Sequence, residues 1–294
     1  MKKAVRHIAR SVPLTGVLCL AAAVGLAGDA DREIGRTTEK ELHVVLSASF
    51  GKISVARGEK QKIFWARGRD GDNETAKLVT DYAVRDRVGY LDISLGSGKH
   101  DAKGKRSSFK LSEFAGGDWQ LGFTDALPIS FDVELGVAGG TFDMTGLMVK
   151  DFNLSCGASE VVLSFSQPNA ATIDAMNIEC GVSKFEGRNL GNANFKHFRF
   201  EGGVGAATLD FSGELRNEVD VDIEIGVGVC TVIIPETVGV QVFADDNLTS
   251  RISLDSRLHE EESNRYISEN FKNASTRMNV RIQAGIGSVR VKLK

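Results

Sequence analysis

The feature that most constrains this chain is a glycine that recurs at the end of an alternating apolar segment. Aligning the chain on this anchor position gives eight copies, one of which has Ser49 in place of glycine. The four steps from Gly136 to Gly226 are 21, 24, 22 and 23 residues long. The seven anchor glycines are Gly96, Gly136, Gly157, Gly181, Gly203, Gly226 and Gly285. A regular step of this length indicates one structural unit that is used repeatedly.

The positions around the anchor repeat as well. The residues five and three places before it are apolar in all eight copies, and the residue two places after it is Gly, Ala or Ser. Apolar residues at every second position indicate a strand with one buried face. Small residues at and after the anchor indicate a bend, or a place where another backbone comes close.

A strand–bend–strand unit of about 22 residues cannot bury its own apolar face, whereas a stack of such units can. We therefore predict an all-β protein, a β-solenoid (β-helix-like) of stacked ~22-residue repeats. A β-sandwich of hairpins is the alternative, since it also uses short, regularly spaced strands. Helix is expected at most in two segments, Thr75–Val84 and Glu260–Ala274.

The N-terminus has the pattern of a secretory signal peptide. Four basic residues precede an apolar run from Leu14 to Ala27, and Gly25-Leu26-Ala27 fits a small-x-small cleavage site. Cys19 follows the large Leu18, which argues against a lipoprotein signal. We predict cleavage near Ala27, no transmembrane segment in the mature chain, and an extracytoplasmic location, either periplasmic or secreted. The predicted parts are a signal peptide at 1–27, an irregular β part at 28–129, and a regular part at 130–294 with an insert at about 245–276.

Composition and charge exclude several classes of function. The chain is 42% hydrophobic and 26% charged, values typical of a folded protein rather than a disordered one. Its formal net charge is −3, and it becomes −7 once the four positive charges of residues 1–27 are removed. An acidic exported protein is a poor ligand for nucleic acid, which is bound through clustered Lys and Arg.

No catalytic, cofactor or metal motif stands out. The histidines lack metal-site spacing and no Gly-x-Ser-x-Gly elbow occurs. Cys156 and Cys180 occupy the same column of adjacent repeats, so we predict either a disulfide between them or two small buried thiols. The aromatic residues Trp65, Trp119 and Tyr266 lie in or beside the irregular segments, where they either stack on sugar ligands or cap the ends of the stack. We expect no cofactor.

Several segments resemble a known family. They read LDISLGSGK, FDVELGVAGG, FRFEGGVGAATLDFSGEL, VDIEIGVGVCTVIIP, NRYISENFKNAS and VRIQAGIGSVRVKLK. These are similar to toast-rack domains, the extracytoplasmic C-terminal domains of LiaF-like cell-wall-active antibiotic response proteins and their adhesin-like relatives. The resemblance covers about residues 40–294. It implies a β-solenoid-like fold and a link to envelope stress, and it supplies no catalytic residues. LiaF-like members typically carry transmembrane helices ahead of the domain, where this chain has a predicted signal peptide.

These observations predict an exported, non-enzymatic β-solenoid module. It would act as a binding or scaffold surface in the cell envelope, in a stress response or in adhesion, with an envelope protein or a cell-wall glycan as its partner. Two alternatives remain open: a polysaccharide-active β-helix enzyme, and a structural protein that assembles end to end through exposed strands.

Overall fold

The computed structural model describes residues 32–69, 77–96, 117–245 and 250–294. The predicted signal peptide lies outside the described residues. The described chain forms sixteen strands in one mostly parallel sheet and one short 3₁₀ helix, Leu190–Ala193. The strands are β1 Arg32–Gly35, β2 Glu41–Arg57, β3 Lys62–Arg69, β4 Leu78–Arg85, β5 Val88–Leu95, β6 Asp118–Phe123, β7 Pro128–Asp143, β8 Met148–Ser164, β9 Ile173–Arg188, β10 Phe195–Asp210, β11 Val219–Ile234, β12 Gly239–Asp245, β13 Ser250–Ser253, β14 Leu258–Glu262, β15 Arg265–Ser268 and β16 Arg277–Leu293. Among these residues there is no helix long and apolar enough to span a membrane.

The strands of the regular part pair in parallel with the register that the repeat predicts. Along the anchor-minus-one column, Cys156 of β8 pairs with Cys180 of β9, and Cys180 pairs with Gly202 of β10. The same column continues to Ile225 in β11 and Ala284 in β16. The all-β prediction is therefore confirmed. The hairpin sandwich is not what the central strands form, because β7 to β11 pair in parallel.

The core lies between the two halves of the long strands. Each long strand bends near its anchor glycine, and the inward side chains of its second half pack against the first half of a neighbour. Phe142 of β7 meets Phe152 of β8 edge-on, with ring centroids 6.1 Å apart. Phe185 of β9 similarly packs on Phe200 of β10 at 5.2 Å. One alternating strand thus supplies both walls of the core, which explains why the apolar alternation continues past the bend.

Glycine serves two different purposes at the bend. At the anchor position the strands approach closely: a Cβ on Gly226 would lie 2.6 Å from the carbonyl oxygen of Gly203. Two residues later some copies require glycine for the backbone itself: Gly228 has a φ of +142° and its Cβ would lie 1.9 Å from the Gly205 oxygen. Of the seven anchor glycines, all of them described, only Gly96 has a positive φ.

The copies stack in chain order only in the middle of the sheet. From β7 to β11 neighbours in sequence are neighbours in space, but β16 lies between β11 and β12. At the opposite end, β5 and β6 pair with the two halves of β2, on the side away from β7. In both end copies the two halves are separate strands, β5 and β6 at one end and β12 and β13 at the other. Antiparallel strands then cover the ends of the sheet and limit further pairing.

Both helix predictions are wrong. The described part of Thr75–Val84 belongs to β4, which pairs with β5 as an antiparallel hairpin. Its turn, Asp86-Arg87, has positive φ at both residues, the geometry that suits the twist of a two-residue hairpin. The segment Glu260–Ala274 contains the end of β14, all of β15 and a turn. Cross-strand pairing overrides weak helical patterning in both places.

We predict that Gly228→Ala strongly destabilises the fold, whereas Gly139→Ala does not. The first substitution places a methyl group against a backbone carbonyl at a left-handed φ and should cost about 2–4 kcal/mol. Gly139 is the matched control: its nearest neighbour would be a Lys52 side-chain carbon at 3.6 Å, so alanine there should change stability by less than about 1 kcal/mol. Chemical denaturation of both variants measures the difference. Equal destabilisation would contradict this account of the bend.

A buried carboxylate links the segment before β2 to strand β4 at the N-terminal end of the sheet. Glu39, 6% exposed, precedes β2 and accepts hydrogen bonds from the hydroxyl of Tyr82 on β4 and from both the backbone amide (2.7 Å) and hydroxyl (2.9 Å) of Thr37. Burial raises the pKa of this carboxyl, but the hydrogen bonds outweigh it and hold the pKa below its ordinary value.

We expect Tyr82→Phe to lower the free energy of unfolding by about 1–3 kcal/mol at neutral pH, because a buried carboxylate loses a donor. Since the pKa of Glu39 is depressed in the folded state, its contribution is present above the unfolded value of about 4.5 and is lost as the pH falls below it. The gap between the wild type and the variant should therefore narrow in acid. Tyr90→Phe on the neighbouring strand is the control, because Tyr90 is exposed and stacks on His43 through its ring. A gap independent of pH would refute the assignment.

Candidate functional site: the surface of the strand bends

An exposed aliphatic ridge runs along the bends of the sheet. The residue after the anchor is Val137, Val182, Val204, Val227 or Ile286 in five of the long strands, and these side chains are 42–61% exposed. Ala158 supplies the sixth position, in β8. Neighbouring strands lie about 4.8 Å apart, so the six residues form a continuous line roughly 24 Å long. We call these six residues the ridge.

The ridge is a feature that the inward columns of the repeat do not reveal, because it occupies a separate column directly after the anchor. Its signal is present in the sequence: the position is Phe50, Val137, Ala158, Val182, Val204, Val227 and Ile286 in seven of the eight copies. An apolar residue that recurs at a solvent-facing position is more informative than one that recurs in a core.

An open groove lies beside the ridge. Its volume is about 440 Å³ and its floor is formed by the anchor glycines Gly181, Gly203 and Gly226. One wall carries Glu179, Glu201 and Glu224, which face one another in register on β9, β10 and β11. We call these three residues the acidic row. The glycines create the groove because no side chain fills the space above the bend.

The acidic row belongs to a polar outer face. Glu201 forms an ion pair with Arg199, two residues earlier on the same strand. On β11, Asp222 pairs with Arg281 of β16 at 2.8 Å, and Asp220 accepts a hydrogen bond from Asn279 at 3.1 Å. The alternating acidic residues Asp220, Asp222 and Glu224 of β11 are thus partly neutralised by their neighbours. The last of them, Glu224, instead faces the groove.

The two cysteines lie at one end of the groove. Cys156 and Cys180 are both 5% exposed, with their Sγ atoms 2.9 Å apart, and both line the groove. They are free thiols in the structure. The disulfide remains a prediction, and the two sulfur atoms that it would join lie side by side.

The three aromatic residues lie in the antiparallel strands at the two ends of the sheet. Trp119 on β6 is fully buried, so its ring offers no face to a sugar. Trp65 on β3 packs on the backbone of Gly122, and the guanidinium of Arg67 lies 4.8 Å from its ring centroid. Tyr266 on β15 packs against the core. The structure does not bring these residues together, and their positions are those of end caps.

The side chains at the bend surface form an apolar and acidic surface rather than a cluster of metal ligands. Within them, no group of three or more His, Cys, Asp or Glu side chains is placed to hold a metal ion. What the bend surface combines is an apolar ridge, a glycine floor and a row of carboxylates, the ingredients of an extended contact surface.

A known protein family matches most of this chain. The family described as the N-terminal domain of toast_rack, DUF2154, matches residues 26–188 and 172–233, more than half of the chain. The chain belongs to the toast-rack family. The resemblance carried by the recurring glycine segments is therefore confirmed, and the toast-rack fold is the single bent sheet described above.

Two solved structures are similar to this toast-rack protein. A proposed cell adhesion protein from Clostridium sporogenes is 19% identical, with a TM-score of 0.44, and the match covers 91% of this chain and all of that one. A proposed adhesin from Bacteroides fragilis is 13% identical, with a TM-score of 0.30, and covers 90% of this chain and 96% of that one. Similarities this low carry no argument about function. No curated protein matches the sequence.

We expect Glu224→Gln to stabilise the protein slightly, because Glu224 faces the like charge of Glu201 on the next strand. The gain should be a few tenths of a kcal/mol up to about 1 kcal/mol at low salt and should shrink as salt screens the charges. Glu134→Gln is the matched control: it lies in the same column, but its neighbours there are Ser47 and Ser155. Thermal denaturation at two ionic strengths distinguishes the variants, and an equal response would contradict repulsion along the row.

Proposed function

We propose that this toast-rack protein is an exported, non-enzymatic β-solenoid module that binds a partner protein in the cell envelope through the ridge. The ridge itself carries the proposal. An aliphatic side chain repeats at an exposed position of six neighbouring strands, where a polar side chain would keep apolar surface out of contact with water. A rigid sheet holds these side chains in line, so little conformational freedom is lost when they are covered.

The solenoid part of the proposal rests on register and bending. Copies of the same unit lie side by side with equivalent residues paired from β7 to β11, and each strand turns back over the core near its anchor. The exported location rests on the N-terminal pattern of a basic segment, an apolar run and a small-x-small site. A role in envelope stress or adhesion is what the family resemblance suggests for such a module.

The acidic row favours a partner with positive charge. A protein seated on the ridge would pass beside Glu179, Glu201 and Glu224, so basic side chains flanking an apolar strip fit this surface best. The net charge of the chain favours the same choice, because it attracts cationic surfaces. Partner binding should therefore weaken as salt concentration rises.

The test is a ridge variant, Val182→Ser with Val204→Ser and Val227→Ser, compared with an equal number of exposed valines elsewhere. The control is Val45→Ser with Val79→Ser and Val84→Ser, all of which lie off the ridge and are 39–55% exposed. Crosslinking and pull-down from native envelopes identify the partner, and its affinity is then measured for each protein. We expect the ridge variant to bind at least about a hundredfold more weakly, since three buried valines are worth roughly 3 kcal/mol or more.

Other outcomes would replace the proposal. An equal loss of affinity in the control variant would mean that the partner does not bind through the ridge. Concentration-dependent association in size-exclusion chromatography that the ridge variant abolishes would mean that a second copy covers the ridge, which favours the self-assembling alternative. Degradation of a polysaccharide by the purified protein, with no partner recovered, would favour the enzyme alternative.

A further inference from the structure

Cys156 and Cys180 are brought together by the repeat. They are equivalent residues of adjacent copies, paired in register in β8 and β9, and their Sγ atoms share a hydrogen bond at 2.9 Å. Neighbouring strands hold backbones about 4.8 Å apart, within the range of Cα separations that a disulfide accepts. A bond between the two sulfurs therefore needs no movement of the sheet as a whole.

The surroundings make the two sulfurs unequal. The interaction with the Cys180 sulfur lowers the pKa of Cys156, burial raises it and the nearby hydroxyl of Ser159 lowers it, and the net result is a pKa of about 7. The oxygen of Ser159 is buried and makes no hydrogen bond in the described part of the chain. The hydrogen bond between the two sulfurs, together with burial, raises the pKa of Cys180. Cys156 is thus the more acidic sulfur of the pair.

The pair can be reached from solvent, and the third cysteine cannot. Cys156 and Cys180 both line the open groove above the bend. Cys230 lies on the inner face of β11, where burial raises the pKa of its thiol to about 12 and its paired neighbours are Ala207 and Val289. A buried, neutral thiol is inert to exchange, which makes Cys230 an internal control.

We propose that Cys156 and Cys180 form a redox-active dithiol that closes to a disulfide by exchange with a small disulfide entering the groove, with Cys156 as the attacking sulfur. This inference is independent of the proposed function. The Cys156 thiolate attacks one sulfur of the small disulfide, whose S–S bond breaks and releases one thiolate. Cys180 then loses its proton to solvent and attacks the Cys156 sulfur, which forms the internal bond and releases the second thiolate. Two cysteine thiols are oxidised and one small disulfide is reduced to two thiols.

The experiment uses the reduced protein and oxidised glutathione as the probe. Samples are quenched with acid, alkylated, and analysed by intact mass and peptide mapping. We expect the wild type to lose two hydrogens, with the peptides of Cys156 and Cys180 joined and Cys230 alkylated only after unfolding. Cys180→Ser should instead accumulate one glutathione on Cys156. Cys156→Ser should react at Cys180 more slowly, because burial still raises the pKa of that thiol when Cys156 is absent.

A second pair of variants tests the role of the hydroxyl. Cys156-Gly-Ala-Ser159 and Cys180-Gly-Val-Ser183 repeat one pattern, so each sulfur has an equivalent serine. In the Cys180→Ser background, Ser159→Ala should slow adduct formation about two- to fivefold, and the matched Ser183→Ala should not. Circular dichroism checks that each variant is folded, and the wild-type measurement decides the main point even where a variant is not.

Four results would overturn the proposal. These are free thiols at Cys156 and Cys180 after prolonged exposure to the probe, two glutathione adducts without an internal bond, and a bond that involves Cys230 or a second chain. Equal reaction rates in the two single cysteine variants would remove Cys156 as the attacking sulfur.

Discussion

The structure depends on the close approach of one strand's bend to the next. At this point the backbone of each copy lies directly against the carbonyl oxygen of the copy before it, and at Gly228 even a methyl group would overlap that oxygen. Because the contact is between backbones, it fixes the register of the whole strand on both sides. Equivalent inward-facing residues of neighbouring copies then lie side by side, and their side chains form the core between the two halves of the long strands.

The repeat made most of this predictable. A period near 22 residues and two apolar columns were sufficient to place Cys156 beside Cys180 and to predict an all-β fold. The ends were not predictable in the same way. Whether β16 follows β12 or enters beside β11 depends on which edge is free once the inserts have folded, and that is a property of tertiary pairing.

The sequence predicted only part of the candidate site. The cysteine pair followed from the column in which both residues lie, whereas the groove is a space left by absent side chains and has no residue signal of its own. Trp119 shows the opposite limit: a tryptophan in an irregular segment suggests an exposed ligand contact, but the segment folds inward as β6 and buries it. The ridge column recurs visibly in the sequence, but it continues the period-two phase of the buried columns before the anchor, so only the structure shows that it faces solvent.

The place of β16 has a consequence for the order in which the molecule can be completed. The final strand of the chain lies between β11 and β12, both of which are made earlier. Until β16 has been made, the facing edges of β11 and β12 are open and the sheet has a gap in its interior. The native sheet is therefore finished only after β16 is in place, and loss of its seventeen residues would leave two unsatisfied edges rather than one shorter sheet.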